Sequence, residues 1–281
     1  MKKKVVLSTA VVTFFLALLI TLYPLISTAY NRQHQSQIHL QHQEQVEQAD
    51  NQALEAAWEL AEAYNAALVP GVQNLERFTP EQLEAAAEGY NDLLDIAGDG
   101  ILCYVTIPKL DVCLPVYHGT SDAVLELGLG HLLGTSLPIG GSSSHSVITG
   151  HSGLASQQLL SDLDQLEPGD VFYIEVLDKT LAYEVDQIKT VLPYETEDLQ
   201  IIPGQDYCTL VTCTPFGVNT HRLLVRGTRI PYEEASPDAE TAPTEPVTST
   251  WEQEYRNGIL MGLGIVGLLA SITVIIWRIW R

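Results

Sequence analysis

The stretch "TLVTCTPFGVNTHRLLVRG", Thr209–Gly227, contains two apolar runs joined by a short connection. The first run ends at Cys213, and the second begins at Arg222. This pattern predicts two adjacent antiparallel strands, which would bring Cys213 close to Arg222. A cysteine in such a place is either a small core residue, the commoner fate of a free thiol, or a nucleophile.

Short apolar or alternating runs of the same kind fill residues 101–231, separated by Pro, Gly and Ser. They read "ILCYVTIP", "VCLPVY", "HSVITG", "DVFYIEV", "LAYEVDQIKTVL", "YCTLVTC" and "RLLVRGTRI". Such runs are typical of strands with turns between them. One short helix is predicted at 156–166, stopped by "EPGD". We therefore predict a mainly antiparallel, small β-barrel or sandwich of roughly 130 residues.

Two helices are predicted ahead of this domain, within residues 27–100. Over residues 38–68, apolar side chains recur at steps of three or four, which describes one face of a long helix. Pro70 and Gly71 break it. A second, shorter helix is predicted over 79–98, with Thr at the N-cap and Pro at the first helical position.

Two long uncharged runs lie near the ends of the chain. Residues 5–26 follow the Lys-rich residues 1–4, and residues 258–277 precede the Arg-containing residues 278–281. Each run is long enough to cross a hydrocarbon core of about 30 Å at about 1.5 Å per residue, so both predict transmembrane helices. Since basic flanks favour the cytoplasm, both termini are predicted inside and everything between the spans outside.

Other interpretations of these two runs are weaker. A signal peptide would share the basic start, but its apolar part is usually shorter and ends at a small-residue cleavage site; "ISTAYN" leaves that alternative open. A GPI-type signal is disfavoured because the chain ends in arginine.

The chain is strongly acidic, with 14 Lys and Arg against 35 Asp and Glu. A nucleic-acid partner calls for basic patches, so none is predicted. Acidity by itself indicates only a well-solvated surface. Residues 232–257 are acidic and Pro-rich, which predicts a tether rather than a folded unit.

A cysteine nucleophile needs its thiolate, a nearby imidazole or guanidinium that favours the thiolate, and a donor for the oxyanion formed on carbonyl attack. Cys213, His151 and Arg222 could supply these roles. His151 follows the strand-like run "SVITG", so a loop can present its side chain while the strand fixes its position. His221 is the nearest rival to Arg222. Neighbouring strand residues point to opposite faces, and we choose Arg222 for the cleft.

The other histidines and cysteines have simpler interpretations. A Gln-rich, solvated helix start holds His34, His39 and His42, and Gly/Ser-rich loops hold His118, His131 and His145. Cys208 lies at an odd offset from Cys213, which points it to the opposite face and into the core. Cys103 and Cys113 flank a predicted hairpin, where a disulfide and two buried thiols both stay open. The cysteine spacings lack the short paired-ligand pattern of a zinc site.

Three motifs carry a resemblance to a known family. "TLVTC", Thr209–Cys213, resembles the TLxTC signature of sortases, and "TGHSGL" around His151 and "NTHR" ending at Arg222 follow the family's order of histidine, cysteine and arginine. Residues Ile107–Leu154 and Thr212–Tyr232 are similar to class C, pilus-assembling sortases. So are "YPLISTAYN", "AEAYN" and the second apolar run, and the resemblance covers the chain except for the acidic tether.

The resemblance implies a sortase-type closed antiparallel β-barrel with short helices, preceded by two helices and flanked by two transmembrane helices. It implies a cysteine transpeptidase, in which Cys213 attacks the threonine carbonyl of an LPXTG-like sorting signal on a pilin or other surface protein. A pilin lysine then resolves the thioester as an isopeptide bond. His151 would protonate the leaving amine and later deprotonate the incoming one. Arg222 would bind the substrate backbone or the oxyanion. No metal or organic cofactor is needed.

The resemblance also implies a catalytic domain on the outer face of a Gram-positive cytoplasmic membrane. Class C sortases usually carry a lid with an Asp-Pro-aromatic motif that occupies the active site. The corresponding stretch, residues 68–78, has no Asp-Pro pair. Arg77 and Phe78 are the residues that could plug the cleft instead.

Two other functions stay open. One is a sortase that anchors single proteins to the cell wall, where the resolving amine belongs to a peptidoglycan precursor. The other is a catalytically silent, membrane-tethered scaffold that binds pilins.

Overall fold

The computed structural model describes residues 2–68, 89–152, 157–232, 258–262 and 264–267. Its helices are α1 (Lys2–Gln48), α2 (Asn51–Ala67) and α3 (Asp122–Leu127), with helical stretches at 258–262 and 264–267. Its strands are β1 (Ile101–Ile107), β2 (Val112–His118), β3 (Leu129–His131), β4 (Ser144–Thr149), β5 (Val171–Val176), β6 (Lys179–Val191), β7 (Asp206–Thr214) and β8 (His221–Ile230). Short 3-10 turns lie at Tyr90–Asp92, Pro108–Leu110, Leu163–Gln165 and Glu197–Leu199.

The strands close into one barrel, in the order β1-β2-β3-β4-β7-β8-β6-β5. Neighbouring strands pair antiparallel except for β2 with β3 and β4 with β7, which run parallel. A closed barrel has no open sheet edge, so the backbone of each strand finds a partner on both sides. The predicted closed, mainly antiparallel barrel is confirmed, and the sandwich alternative is wrong.

The barrel encloses an apolar core. Phe172 and Tyr183 stack with ring centroids 5.6 Å apart, and both are buried. Gly227 on β8 lies against them, and a Cβ there would come within 2.6 Å of the Phe172 ring. Alternation along β7 and β8 sends Leu210 and Val225 into the same core. Burial of apolar surface, at roughly 25 cal/mol per Å², is the main force that stabilises this interior.

The helix predicted over 38–68 is divided into α1 and α2 at Asp50. The Asp50 side chain accepts a backbone hydrogen bond of 3.3 Å in the first turn of α2, which makes it the N-cap. Ala61 of α2 is fully buried in the barrel's core cluster. Asn65 fixes the far end of α2 through two hydrogen bonds, of 2.7 and 3.2 Å, with the backbone of Leu137.

One face of α1 packs on the outside of the barrel. The His39 ring lies 4.3 Å from the Tyr104 ring, measured between centroids, and His42 Nδ1 lies 2.9 Å from Asp99 Oδ2. His42 is only 7% exposed. The prediction of a solvated helix start is wrong for His39 and His42, because the barrel covers this face of α1, whereas His34 is exposed.

Two predicted helices are wrong where the structure describes them. In the helix predicted over 79–98, residues 79–88 lie outside the described part, and the chain forms only turns and a 3-10 turn from Gly89 onward, where φ is 78°. The helix predicted at 156–166 is a series of turns over 157–166. Leu159 has φ 43°, which no α-helix accommodates, and both Leu159 and its neighbour Leu160 are buried in the core.

No helix among the described residues is both long and apolar enough to cross a membrane. The first predicted span, 5–26, lies within α1, where the side chains of residues 5–11, 20, 21 and 24–26 are outside the described part. Of the second span, 258–277, only 258–262 and 264–267 are described. Neither span is confirmed, and both stay predictions.

Candidate active site

Cys213 and Arg222 lie directly opposite each other on β7 and β8. The connection between the strands is a compact turn, in which the Val218 and Asn219 amides donate to the Pro215 carbonyl at 3.0 and 2.9 Å. Directly opposed residues in an antiparallel pair point to the same face of the sheet. The predicted adjacency of the two strands is confirmed, and the side chains of Cys213 and Arg222 share one face.

His151 lies just beyond β4, on the other side of β7. The parallel pairing of β4 with β7 sets Thr149 beside Val211, and the Gly150 amide extends the ladder by donating to the Val211 carbonyl at 3.0 Å. β4 ends at Thr149, so His151 lies two residues past the strand, beside the part of β7 that leads to Cys213. The fold thus brings the strand of Cys213 between the segment with His151 and the strand with Arg222.

Three hydrogen bonds fasten the His151 segment. Ser152 Oγ donates to the Cys213 carbonyl at 2.7 Å, and Thr212 Oγ1 donates to the Gly150 carbonyl at 2.9 Å. On the other side, the Leu160 amide donates to the His151 carbonyl at 3.3 Å. Sequence reasoning missed these polar partners, because their contacts depend on two strands that are distant along the chain.

Gly150 is required at its position by space. A Cβ there would lie 2.4 Å from Leu129 Cδ2 and 3.1 Å from Leu160 Cδ1. The glycine next to His151 therefore lets the chain pass close to the core where it leaves β4. In the sequence, the glycine between Thr149 and His151 is the sign of this constraint.

His221 and Arg222 point to opposite faces, as expected for neighbours on a strand. His221 pairs with Thr214 in the register, and its Nδ1 lies 2.9 Å from Thr220 Oγ1. Arg222 Nη1 donates to the carbonyls of His221 and Asn219 at 3.0 and 3.3 Å. These bonds use only part of a guanidinium with five N–H donors, so donor capacity remains for a bound carbonyl.

An apolar patch forms the floor of the face that carries Cys213. It consists of Val147, Leu199, Val211 and Leu224. His145 ties the loop between β6 and β7 to this floor: its Nδ1 lies 2.9 Å from the Gln200 carbonyl, and its Nε2 lies 2.7 Å from Thr209 Oγ1. Burial lowers the pKa of His145 to about 4, so the ring is neutral at pH 7, with Nδ1 donating and Nε2 accepting.

The three candidate side chains do not contact one another through any hydrogen bond described for residues 2–68, 89–152 and 157–232. Cys213, His151 and Arg222 are all half-buried. Each is therefore partly accessible to solvent. The predicted lid residues Arg77 and Phe78 lie outside the described residues.

The remaining cysteines differ in their surroundings. Cys208 and Cys103 are buried without any exposure, and burial raises the pKa of both thiols. The prediction that Cys208 is a core residue is confirmed. In the register of β1 and β2, Cys103 faces Val116, and Cys113 faces Thr106. Both thiols are free, with Cys113 half-buried, so the disulfide alternative is wrong.

Comparisons with known proteins match this region. A family model described as "Sortase domain" matches residues 105–230. Among curated relatives, "Sortase SrtE1" from Streptomyces coelicolor is 32% identical over 47% of this chain and 42% of its own length. "Sortase A" from Streptococcus agalactiae is 29% identical over 39% of this chain and 45% of its own length. The chain thus spans less than half of the length of these two curated relatives.

Solved structures match over a longer part of the chain. Sortase C of Streptococcus pneumoniae is 48% identical with a TM-score of 0.60, covering 67% of this chain and 94% of that one. Sortase C1 of Streptococcus agalactiae is 45% identical with a TM-score of 0.62, covering 68% and 97%. Sortase C-1 of Actinomyces oris is 45% identical with a TM-score of 0.57, covering 63% and 98%.

Proposed function

The chain belongs to the sortase family, with class C members as structural neighbours, and we propose that it is a cysteine transpeptidase of the pilus-assembling type. One observation carries this proposal. Cys213 lies opposite Arg222 in the register, and His151 follows β4 on the other side of β7. This order supports a site with a thiol nucleophile, an acid–base imidazole and a cationic donor on three neighbouring segments.

In the first half of the reaction, Cys213 attacks the threonine carbonyl of an LPXTG-like sorting signal. The thiol proton passes to His151, a C–S bond forms, and the carbonyl oxygen becomes an oxyanion that Arg222 can hydrogen-bond. Removal of such a donor costs about 3 kcal/mol in comparable sites. When the C–N bond breaks, His151 gives its proton to the leaving amine, and a thioester remains on Cys213.

In the second half, an amine resolves the thioester. His151 takes a proton from the incoming amine, the new C–N bond forms, and Cys213 leaves as a thiolate that regains its proton. With a lysine ε-amine of another pilin subunit, the product is an isopeptide bond. The structural neighbour from Streptococcus pneumoniae is described in terms of pilin substrate specificity, which supports this choice of substrate.

Residues 5–26 and 258–277 would hold the enzyme in the cytoplasmic membrane, with the barrel outside and both termini inside. Their lack of charge and their basic flanks support this part of the proposal. Apolar side chains of α1, including Phe14, Phe15 and Leu19, are more than half exposed to solvent, as expected of a surface that lipid would cover.

A nucleophile-competition assay tests the proposal against wall anchoring and against a silent scaffold. The full-length protein in detergent is given an LPXTG-type peptide together with equal concentrations of a lysine-containing pilin peptide and an amine that mimics a peptidoglycan precursor. The expected product is an isopeptide-linked pair of peptides. Preferential transfer to the peptidoglycan mimic would support wall anchoring, and the absence of any cleavage would support the scaffold.

A further inference from the structure

A second thiol–imidazole cluster lies between α1 and the barrel. His39 comes from α1, Cys113 from β2 and Glu175 from β5. Cys113 Sγ lies 3.7 Å from His39 Nδ1, and His39 Nε2 lies 3.2 Å from Glu175 Oε2. The other oxygen of Glu175 accepts a hydrogen bond of 2.9 Å from Thr106 Oγ1. One imidazole thus bridges a thiol and an oriented carboxylate.

The surroundings of His39 favour the protonated ring. Its hydrogen bonds with Cys113 and Glu175 raise the pKa of His39 to about 9. The hydrogen bond with His39 holds the pKa of the Glu175 carboxyl below its usual range. The Tyr104 ring packs against His39, with the ring centroids 4.3 Å apart. An imidazolium beside a sulfur stabilises the thiolate, which is the reactive form of cysteine.

Cys113 also lines a cleft of about 640 Å³ between α1 and the barrel. This volume is within the range of roughly 300–1,000 Å³ that is typical of small-molecule sites. Gln35 Nε2 donates to Gln157 Oε1 at 2.9 Å, which joins two lining residues, and Leu40 and Leu114 supply apolar surface. The side chains of His39 and Glu175 are 21% and 27% exposed, so a small molecule can reach the cluster.

We propose that Cys113, His39 and Glu175 form a second reactive-thiol site, which takes neutral or cationic low-molecular-weight disulfides. The Cys113 thiolate attacks one sulfur of R–S–S–R, so a new S–S bond to Cys113 forms while the original one breaks. The leaving thiolate takes the proton of the His39 imidazolium. The disulfide is the only oxidant, and the product carries R in the cleft. The net negative charge of the chain, −21, disfavours anionic disulfides.

The test uses the full-length Cys213→Ala protein in detergent, with the neutral probe 4,4′-dithiodipyridine at pH 7. Released 4-thiopyridone gives the rate, and peptide mass spectrometry gives the modified residue. We expect fast modification of Cys113 alone, because Cys103 and Cys208 are buried. His39→Gln should slow the reaction about tenfold, and Glu175→Gln should slow it less. Modification of a different cysteine, or an unchanged rate in His39→Gln, would overturn the proposal.

His42→Gln is the matched control for the docking of α1. His42 packs on the same Tyr104, with ring centroids 5.4 Å apart, but it pairs with Asp99 rather than with Cys113. We expect this variant to keep the rate of the Cys213→Ala background. A loss as large as that of His39→Gln would assign the effect to undocking and overturn the proposal. Since Cys213 is absent throughout, the outcome does not depend on the proposed transpeptidase activity.

Discussion

The molecule contains two thiol–imidazole arrangements that are built in opposite ways. On the outer face of the barrel, strand register alone brings together Cys213 and Arg222, with the His151 segment beside them. Between α1 and the barrel, His39 directly contacts both Cys113 and Glu175. Within the described residues, no carboxylate forms a salt bridge with His151, whereas His39 has such a partner 3.2 Å away.

This difference separates two kinds of chemistry. An imidazole without a fixed acidic partner can take a proton from one group and give it to another as substrates change, which transpeptidation requires. An imidazole held between a carboxylate and a thiol can stabilise one thiolate and give up its proton once, to the group that leaves. The proposals thus place turnover at Cys213 and a single exchange reaction at the Cys113 cluster. The predictions below test that division.

The largest expected effect separates the two cysteines. Cys213→Ala should lower transpeptidation at least about a thousandfold, because the nucleophile is lost. Cys113→Ala should leave the rate within about twofold, because Cys113 takes no part in the proposed transpeptidation. Chromatography of the peptide product measures both. Similar losses in the two variants would contradict the division between the sites.

Next in size is the effect of the residue opposite the nucleophile. Arg222→Ala should lower the rate about a hundredfold, because an oxyanion donor is removed. His221→Gln is the control, since this neighbour points to the opposite face and should keep nearly full activity. Circular dichroism melts verify that both variants fold. A larger loss in His221→Gln than in Arg222→Ala would reverse the assignment.

A smaller effect is expected from the bond that ties the His151 segment to the strand of the nucleophile. Ser152→Ala removes the 2.7 Å hydrogen bond to the Cys213 carbonyl and should slow transpeptidation about fivefold through misalignment. Ser143→Ala removes a hydrogen bond of 2.9 Å from the Gly204 amide and serves as the control. The reaction of Cys113 with 4,4′-dithiodipyridine should stay unchanged in both. Equal losses of transpeptidase activity in the two serine variants would indicate a general effect on folding.

The last comparison concerns stability, where the pH dependence has opposite signs for the two regions. The pKa of His145 is lowered to about 4. The contribution of its neutral ring to the free energy of unfolding is therefore present above the ordinary pKa of 6.5 and is lost as pH falls toward 4. The loss is about 2 kcal/mol between pH 7 and 5. The pKa of His39 is raised to about 9. The contribution of its protonated ring to the free energy of unfolding is therefore present below pH 6.5 and is lost as pH rises through 9.

Thermal unfolding between pH 5 and 10 measures these contributions. In His145→Gln, stability should fall less between pH 7 and pH 5 than it does in the wild type. The stability of His39→Gln should differ from that of the wild type most at pH 6 and least above pH 9. A stability difference between His39→Gln and the wild type that grows with pH would contradict the raised pKa of His39.

Local pattern predicted the barrel and its outer face well. The longer strands show alternation or apolar runs, and the single strand–turn–strand unit around Cys213 determines its register with Arg222. Shorter elements escaped prediction: β3 has three residues, too few to show a period, and α3 has six. The leucines of residues 157–166 have helical spacing, which predicted a helix. In the structure these leucines lie in turns, and they pack into the barrel core.

The Cys113 cluster could not be predicted, because its contacts are purely tertiary. His39 is 74 residues from Cys113 and 136 residues from Glu175 along the chain. A Gln-rich helix with scattered histidines has the composition of a solvated surface, and only the docking of α1 gives His39 its partners. The positions of Ser152 and Thr212 beside the His151 segment escaped for the same reason, since β4 and β7 pair across more than 60 residues.

Intact mass spectrometry of the full-length protein tests the central claim most directly. The wild type and Cys213→Ala are incubated with an LPXTG-type peptide without an added amine, and adducts are mapped to a residue. We predict a wild-type adduct with the mass of the peptide's acyl part, located at Cys213 and released by hydroxylamine. An acyl adduct that persists in Cys213→Ala, or wild-type protein that binds the peptide and forms no adduct, would contradict the assignment of the nucleophile.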